Sequence, residues 1–423
     1  MSTLEHAARN DRPPPWPRRD GLLLSGATGF LGTELLARYL QETDRAIFAI
    51  VRADDDAHAQ RRLHETLESA FGTAEPFAGR VRALAGDMTL PGLGLSPEVA
   101  QHVAGAVDEI VHGAAAVSFD LDLAQARAIN VQGTREMLEL AELCHRRGGL
   151  RRFTYVSTAY VAGTHKGRFG EEDLDVGQGF RNPYERSKFE SEQLVRARAE
   201  RLPIIVVRPS IIVGDSRTGW TASFNVLYWP TRALARGSFP VLPARRRSPV
   251  DVVSVDYVAD AIRALAAMPD AAGGTFHLTS ARDATSIGEL LALACDKLDV
   301  KAPPLISPAL YLRVLGPLLG RLQPRRRTFL KAAATYVPYF AVRVQFDDTR
   351  ARAALGAQVR PKPLGEYYGQ IIDYALRTRW GARPMSRAAA ARAAGGGAED
   401  PRVGAAAPVC PADAAGNAPR HER

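Results

Sequence analysis

The chain has 423 residues, 46% of them hydrophobic and 24% charged, with 36 Gly and 28 Pro. This ordinary globular mixture excludes collagenous, coiled-coil and wholly disordered readings, and the length suits two or three domains or one large domain with an appendage. The net charge of +9 would suit nucleic acid, anionic lipid or a polyphosphate ligand and selects none of them. The longest uncharged stretch, Thr218 to Thr231, is 14 residues, short of the roughly 18 that a membrane-spanning helix needs. Cys144, Cys295 and Cys410 are too few and too scattered for a disulfide framework or a metal site.

Residues 1–20, with Pro13 to Pro17 set among charges, cannot bury a helix or strand face and read as a flexible leader. Glu5, Asp11 and the absence of an early apolar stretch do not form a secretory signal, which points to the cytoplasm. Apolar runs then alternate with helix-length amphipathic stretches, the sequence form of βαβ units building a doubly wound parallel sheet of Rossmann type. The pattern predicts strands at Leu22–Ser25, Ala46–Val51, Val81–Ala85, Glu109–His112, Arg152–Ser157, Ile204–Arg208 and Thr275–Leu278. It predicts helices at Leu31–Gln41, Leu123–Arg146 and Tyr184–Glu200, the second ended by Gly148 and Gly149. Residues 21–280 form the expected α/β domain, with 216–248 turned toward the substrate side and Pro249–Met268 returning to the sheet. Residues 281–385 form a smaller, mostly helical substrate-covering region, and the Ala-, Gly-, Pro- and Arg-rich 386–423 a disordered tail.

The first strand runs straight into Gly26-Ala27-Thr28-Gly29-Phe30-Leu31-Gly32. Glycine at the first position permits the tight turn, at the second lets backbone N–H groups approach a pyrophosphate, and at the third lets the helix pack close to the sheet. At a first strand–helix crossover this is dinucleotide-binding chemistry rather than mere turn chemistry. An NAD site would close its second strand with Asp or Glu to hold the ribose 2′-OH, whereas this strand ends Ala49-Ile50-Val51-Arg52. Arg52 could pair with a 2′-phosphate, so NADPH is favoured over NADH, although Asp54, Asp55 and Asp56 follow closely. Arg62 could assist or could be an ordinary surface charge.

Tyr184 and Lys188 stand at i and i+4, with Pro183 suited to a first helical turn, so both share one face. A nearby ammonium favours a phenolate, which turns a tyrosine into a usable acid or base. The pair gains weight from its place after Val156-Ser157-Thr158-Ala159.

Together these residues resemble the extended short-chain dehydrogenase/reductase superfamily over most of residues 20–300. Within it the chain looks most like the thioester reductases and the male-sterility type of fatty acyl-CoA reductases. The resemblance rests on the glycine turn at 26–32, Val51-Arg52-Ala53, Gly86-Asp87 before Leu93-Gly94-Leu95-Ser96, and His112-Gly113-Ala114-Ala115. It continues through Asn130-Val131-Gln132-Gly133-Thr134, Tyr155 to Val161, Tyr184 with Lys188, Arg208-Pro209 with Gly214, and Val255 to Asp260. It implies that Thr158 polarises a substrate carbonyl, with Ser157 the weaker candidate, that Tyr184 is the acid, and that Lys188 tunes Tyr184 and holds the nicotinamide ribose. It also implies a cofactor surface of Gly26, Thr28, Gly29, Phe30, Leu31, Gly32, Arg52, Arg62, Asp87, Met88, Ala114 and Ala115, joined by Tyr184 and Lys188, with Asn130 a structural turn partner. Only 25 residues precede Gly26, so the expected acyl donor is a free acyl-CoA or an acyl group on a separate carrier protein.

Trp220, Phe224, Tyr228 and Trp229, with Leu310, Leu312, Leu315, Leu318 and Leu319, could line an acyl groove or could be the core of a helical cap. Arg325 to Arg327 before Phe329 and Tyr336 to Val342 would suit peripheral contact with an anionic membrane, and Arg245 to Arg247 could meet a CoA phosphate or solvent. The leading expectation is an NADPH-dependent reductase of acyl thioesters to aldehyde, with a second hydride giving alcohol. Its alternatives are a dehydrogenase of a ketone or sterol alcohol, a nucleotide-sugar epimerase or dehydratase, and a protein that binds cofactor or nucleic acid without turnover. No recognised nucleic-acid module supports the last of these, and the sequence leaves a homodimer open.

Overall fold

The computed structural model describes residues 20–224, 226–239, 241–311, 313, 339 and 342–395. In chain order the main elements are β1 (Gly21–Ser25), α1 (Phe30–Glu42), β2 (Ile47–Val51), α2 (Asp56–Phe71), β3 (Val81–Ala85), α3 (Pro97–Ala106) and β4 (Val107–His112). There follow α4 (Gly133–Gly148), β5 (Arg152–Val156), α5 (Pro183–Arg196), β6 (Ile204–Pro209), α6 (Tyr228–Ala235), α7 (Val255–Ala267) and β7 (Thr275–Leu278). The remainder are α8 (Ile287–Leu298), α9 (Thr349–Leu355), α10 (Leu364–Arg377) and α11 (Arg387–Ala393).

The seven strands pair in the order β7-β6-β5-β4-β1-β2-β3, every pair parallel. Strand order reverses between β1 and β4, and such a switch point leaves a crevice beyond the carboxyl ends of the strands. The strands are apolar on both faces because helices cover both. On one face Leu22, Leu24, Ala49 and Val207 pack with Leu36, Leu63 and Ile262 of α1, α2 and α7. On the other, Leu23, Ile110, Phe153 and Val206 pack with Val103, Met137, Ala141 and Val195 of α3, α4 and α5. All seven predicted strands are present, most within a residue or two of their expected ends.

The helices differ more. The single helix predicted over Leu123–Arg146 is broken into a short turn at Leu123–Arg127, a wide π turn at Ala128–Gln132, and α4. Asn130 is the cause: its side chain turns inward to accept from the Ala116 N–H at 2.8 Å and to donate to the Ala116 carbonyl and to Ser187. The carbonyl of Asn130 accepts from Ser191 Oγ at 2.9 Å as well as from the Gly133 N–H. The helix predicted to reach Glu200 stops at Arg196, having begun under an Asn182 cap with Pro183 in its first turn.

Pro249–Met268 does return to the sheet domain, through a parallel pairing of Val252–Ser254 with Ile211–Val213 and through α7. The segment expected to cover substrate splits. Helices α6, α8 and α10 share a separate core built on Leu227, Tyr228, Ala294, Tyr367, Tyr368 and Ile371, whereas Ala351 and Leu355 of α9 join the core beside the sheet. The expected disordered tail is also corrected at its start. Helix α11 is capped by Ser386, buries Ala390, and anchors Arg387 on the buried Glu34 of α1 at 2.7 Å. No helix among the described residues is long and apolar enough to cross a membrane.

Candidate active site

The predicted cofactor residues gather at the carboxyl edge of the sheet. Gly26 adopts φ +80°, and a Cβ there would stand 2.8 Å from the Ala114 nitrogen; at Gly32 it would stand 1.9 Å from the Gly26 carbonyl oxygen. The backbone is thus folded tightly on itself where α1 begins, as glycine alone allows. Gly29 is the N-cap of α1 and supplies no side-chain cap, and no acidic residue stands in the first turn. The positive helix end and its N–H groups, with Thr28, Phe30 and Leu31 around them, fit an anionic pyrophosphate.

Beneath that turn Ser25 Oγ accepts from the Ala114 N–H at 3.2 Å and lies 2.7 Å from His112 Nδ1, while His112 Nε2 lies 3.1 Å from Thr134 Oγ1. Burial pushes the imidazole down to about 3, so His112 is neutral. The neutral imidazole donates through one ring nitrogen and accepts through the other, bridging Ser25 and Thr134. This network fixes the segment carrying Ala114 and Ala115; spacing alone gave no sign of it.

At the end of β2 the three aspartates that left NADH open are engaged elsewhere. Asp54 meets His58 at 3.5 Å, Asp55 caps α2 by accepting from the His58 N–H, and Asp56 accepts from the Ala85 N–H at 3.1 Å. Arg52 is exposed, and the Arg62 guanidinium reaches back to the Arg52 carbonyl, so two cations share this corner. Asp87 lies just past β3 and accepts at 2.7 Å from both the Thr89 N–H and its hydroxyl, and Met88 packs against Gly133 at the start of α4.

The catalytic candidates meet where β5 faces α5. Thr158 faces the Tyr184 phenol, which burial pushes up to about 12. Lys188 Nζ donates to the Val156 carbonyl at 2.8 Å and lies 4.3 Å above the Tyr155 ring. Burial pulls Lys188 down to about 7. The expectation that Lys188 lowers the Tyr184 phenol is not what governs here: desolvation dominates, and Tyr184 stays a protonated donor at neutral pH. Ser157 is engaged elsewhere, its hydroxyl donating to Glu192 of α5 at 2.6 Å.

Beside Tyr184, Phe119 at 6.0 Å stacks on Tyr339, which meets Tyr160 edge-on at 5.5 Å. Tyr160 and Tyr339 line an apolar pocket, walled further by Leu227, Pro230, Leu234 and Leu291. Thr231 also lines it, but its hydroxyl already donates to the Leu227 carbonyl at 2.8 Å. Of the two readings left open for the aromatic residues, groove lining or cap core, Phe224 and Tyr228 take the second and fill the cap core, and Trp220 packs on Phe30. The stripe Leu227, Thr231, Leu234 on α6, at helical spacing, was the available signal for the cavity. Leu310 is exposed, whereas Leu312, Leu315, Leu318, Leu319, Arg325 to Arg327 and Phe329 lie outside the described residues. Arg245 to Arg247 are exposed in a turn.

Comparison with known proteins agrees with this geometry. A family model described as male sterility protein matches residues 24–262. Over 311 residues the chain is 32% identical to a carboxylic acid reductase of Mycobacterium tuberculosis, covering 66% of this chain and 26% of that protein. Over 216 residues it is 35% identical to an isonitrile lipopeptide synthase of Streptomyces coeruleorubidus, covering 51% of this chain and 14% of that one. The chain therefore spans about a quarter or less of these curated relatives. Among solved structures, the terminal R domain from the myxalamid PKS-NRPS biosynthetic pathway superposes with a TM-score of 0.73 at 26% identity, covering 88% of this chain and 94% of that one. The R domain of a Mycobacterium tuberculosis nonribosomal peptide synthetase gives a TM-score of 0.64 at 26% identity, with the same coverage.

Proposed function

Because the chain belongs to the male sterility protein family of extended short-chain dehydrogenase/reductases, we propose that it is an NADPH-dependent reductase of acyl thioesters. Membership in the thioester reductase branch makes it an oxidoreductase with a nicotinamide cofactor. The acyl donor, a CoA ester or a carrier-bound group in the cytoplasm, and the preference for NADPH are our reading. Its main support is the approach of Thr158, just past β5, to Tyr184 of α5, with Lys188 one turn further along that helix.

The bound cofactor would supply a hydride, so that thioester, NADPH and a proton give aldehyde, free thiol and NADP. Gly26 to Gly32 and the first turn of α1 would hold its pyrophosphate, Arg52 and Arg62 its 2′-phosphate, and Lys188 its nicotinamide ribose. Thr158 and Tyr184 donate hydrogen bonds to the carbonyl oxygen and strengthen them as negative charge gathers there. Tyr184, protonated throughout the neutral range, then passes its proton to that oxygen, and Lys188 as an ammonium offsets the charge left on the phenol. Collapse of the hemithioacetal expels the thiol. The surrounding apolar walls exclude water, which keeps these charge-based contacts strong.

The test follows NADPH absorbance and free thiol in parallel with a panel of acyl-CoAs, beside Tyr184→Phe. Equal amounts of cofactor oxidised and thiol released, both lost in the variant, are the expected outcome. NADPH binding with no thiol from any thioester would overturn the reading in favour of a ketone, sterol or sugar-nucleotide substrate.

A further inference from the structure

The Lys188 side chain is buried, so its immediate contacts decide where its ammonium points. An ammonium carries three N–H donors. One goes to the Val156 carbonyl at 2.8 Å, and Nζ stands over the Tyr155 ring, 4.3 Å from its centroid. At that distance a cation meets the negative face of the aromatic quadrupole. Tyr155 is fully buried, so little water competes with the attraction.

The ring is itself held firmly. Tyr155 lies on a central strand, β5, in register with His112 of β4 and Val206 of β6. Its side chain is on the face covered by α3, α4 and α5, where it shares a core with Met137, Leu138 and Val195. There its ring meets the His112 ring at 5.8 Å, and His112 bridges Ser25 and Thr134. One aromatic ring therefore touches both the lysine and the imidazole beneath the glycine turn.

The other groups around Lys188 come from its own helix and from β4. Tyr184 stands one turn before it and Glu192 one turn after it on α5. Glu192 is paired with Arg208 at 2.6 Å and with Arg196 at 3.0 Å. His112 of β4 is neutral. Tyr155 and Val156, adjacent on β5, are thus the residues whose contacts with the ammonium fix its place.

We propose that Tyr155 is a positioning residue that holds the Lys188 ammonium through the face of its ring. Val156 and Tyr155 anchor the ammonium from β5 and leave its remaining donors for the nicotinamide ribose. The ring also favours the charged form, since the attraction exists only while the amine is protonated. The proposal rests on the catalytic reading of Tyr184 and Lys188, but the contact between ring and lysine is measurable without substrate or cofactor.

The experiment changes the charge distribution of the ring at nearly constant shape. Phenylalanine and its difluoro, trifluoro and pentafluoro forms are inserted in turn at position 155 of the full-length chain, each fluorine weakening the negative face. The chain has six lysines, so labelling at lysine Cε lets each be titrated by NMR, with Lys188→Met identifying the signal. Tyr155→Phe should leave the Lys188 midpoint within about 0.3 pH unit of the wild type, because both rings offer the same face. The fluorinated series should lower it stepwise, by about one pH unit in all, and move the alkaline limb of the turnover profile with it. Circular dichroism checks that each variant is folded, and the difluoro and trifluoro rings carry the comparison should the pentafluoro ring disturb packing. A midpoint that stays put across the folded series would overturn the proposal, as would a fall in Tyr155→Phe as large as in the fluorinated rings. A midpoint that falls stepwise while Tyr184→Phe still reduces thioesters would sink the catalytic reading and leave the hold of Tyr155 on Lys188 standing.

Discussion

Replacing Arg52 and Arg62 by alanine, singly and together, tests the cofactor corner. In the wild type Asp55 and Asp56 accept from backbone N–H groups and the exposed Asp54 stands 3.5 Å from His58, while Arg52 and Arg62 bring two cations to the same corner. Arg52 is exposed and Arg62 half-buried. A hydrogen bond to a charged group contributes about 1.5–3 kcal/mol, and solvent screening at this edge reduces that to about 1–2 kcal/mol for each arginine. Each single replacement should therefore weaken NADPH about 5- to 30-fold. NADH, which lacks the phosphate, should bind the variants within about twofold of the wild type. Because the Arg62 guanidinium also braces the Arg52 carbonyl, the double variant should fall short of the product of the singles. Titration calorimetry with both nucleotides at two salt concentrations measures this, and the NADPH preference should shrink as salt rises. Wild type binding NADH as tightly as NADPH, or variants losing both equally, would refute the argument.

Three further outcomes follow from the geometry. Gly32→Ala sets a Cβ within 1.9 Å of backbone, and the displacement of α1 should cost about 1–3 kcal/mol of stability in denaturant unfolding and lower NADPH affinity; an unaltered midpoint with full affinity would contradict the packing described. Turnover should fall as pH rises through about 7, where Lys188 loses its charge, and not near 12, where Tyr184 titrates. Since the folded lysine binds its proton less tightly than the unfolded one, its cost is fully present below about 7 and disappears toward 10.5; Lys188→Met should therefore raise the melting temperature more at pH 6 than at pH 10, and the opposite order would refute the sign. Leu234→Trp fills the apolar cavity and should raise KM for long acyl chains at least 10-fold with little change for acetyl-CoA, while equal effects on both would place the acyl chain elsewhere.

The sheet was legible because its strands are buried on both faces and so read as unbroken apolar runs, such as Ile47–Val51 and Ile204–Pro209. The glycine turn and the shared helix face of Tyr184 and Lys188 were legible because they depend on local spacing, whereas Thr158 entered through the family resemblance. The break at Asn130 was not: its cause is a tertiary contact with Ala116 and Ser187, while the local pattern favours continuous helix. Glu192 was hidden for a related reason. It stands eight residues after Tyr184 on a predicted helix, but its meaning comes from Arg208 on another strand. The cap aromatics left two readings open because large size and apolarity describe a core as well as a groove, and only the fold turns Leu227 and Leu234 to the pocket while Tyr228 faces inward.

The central claim is that a hydride passes to a thioester carbonyl held by Thr158 and Tyr184. The most direct measurement uses NADPH deuterated at the transferable C4 position with an acyl-CoA, traps the product as an oxime, and reads its mass. The expected product is an aldehyde carrying one deuterium at C1 for each thiol released, with none from Tyr184→Phe. Cofactor oxidation without a labelled aldehyde or alcohol would contradict it.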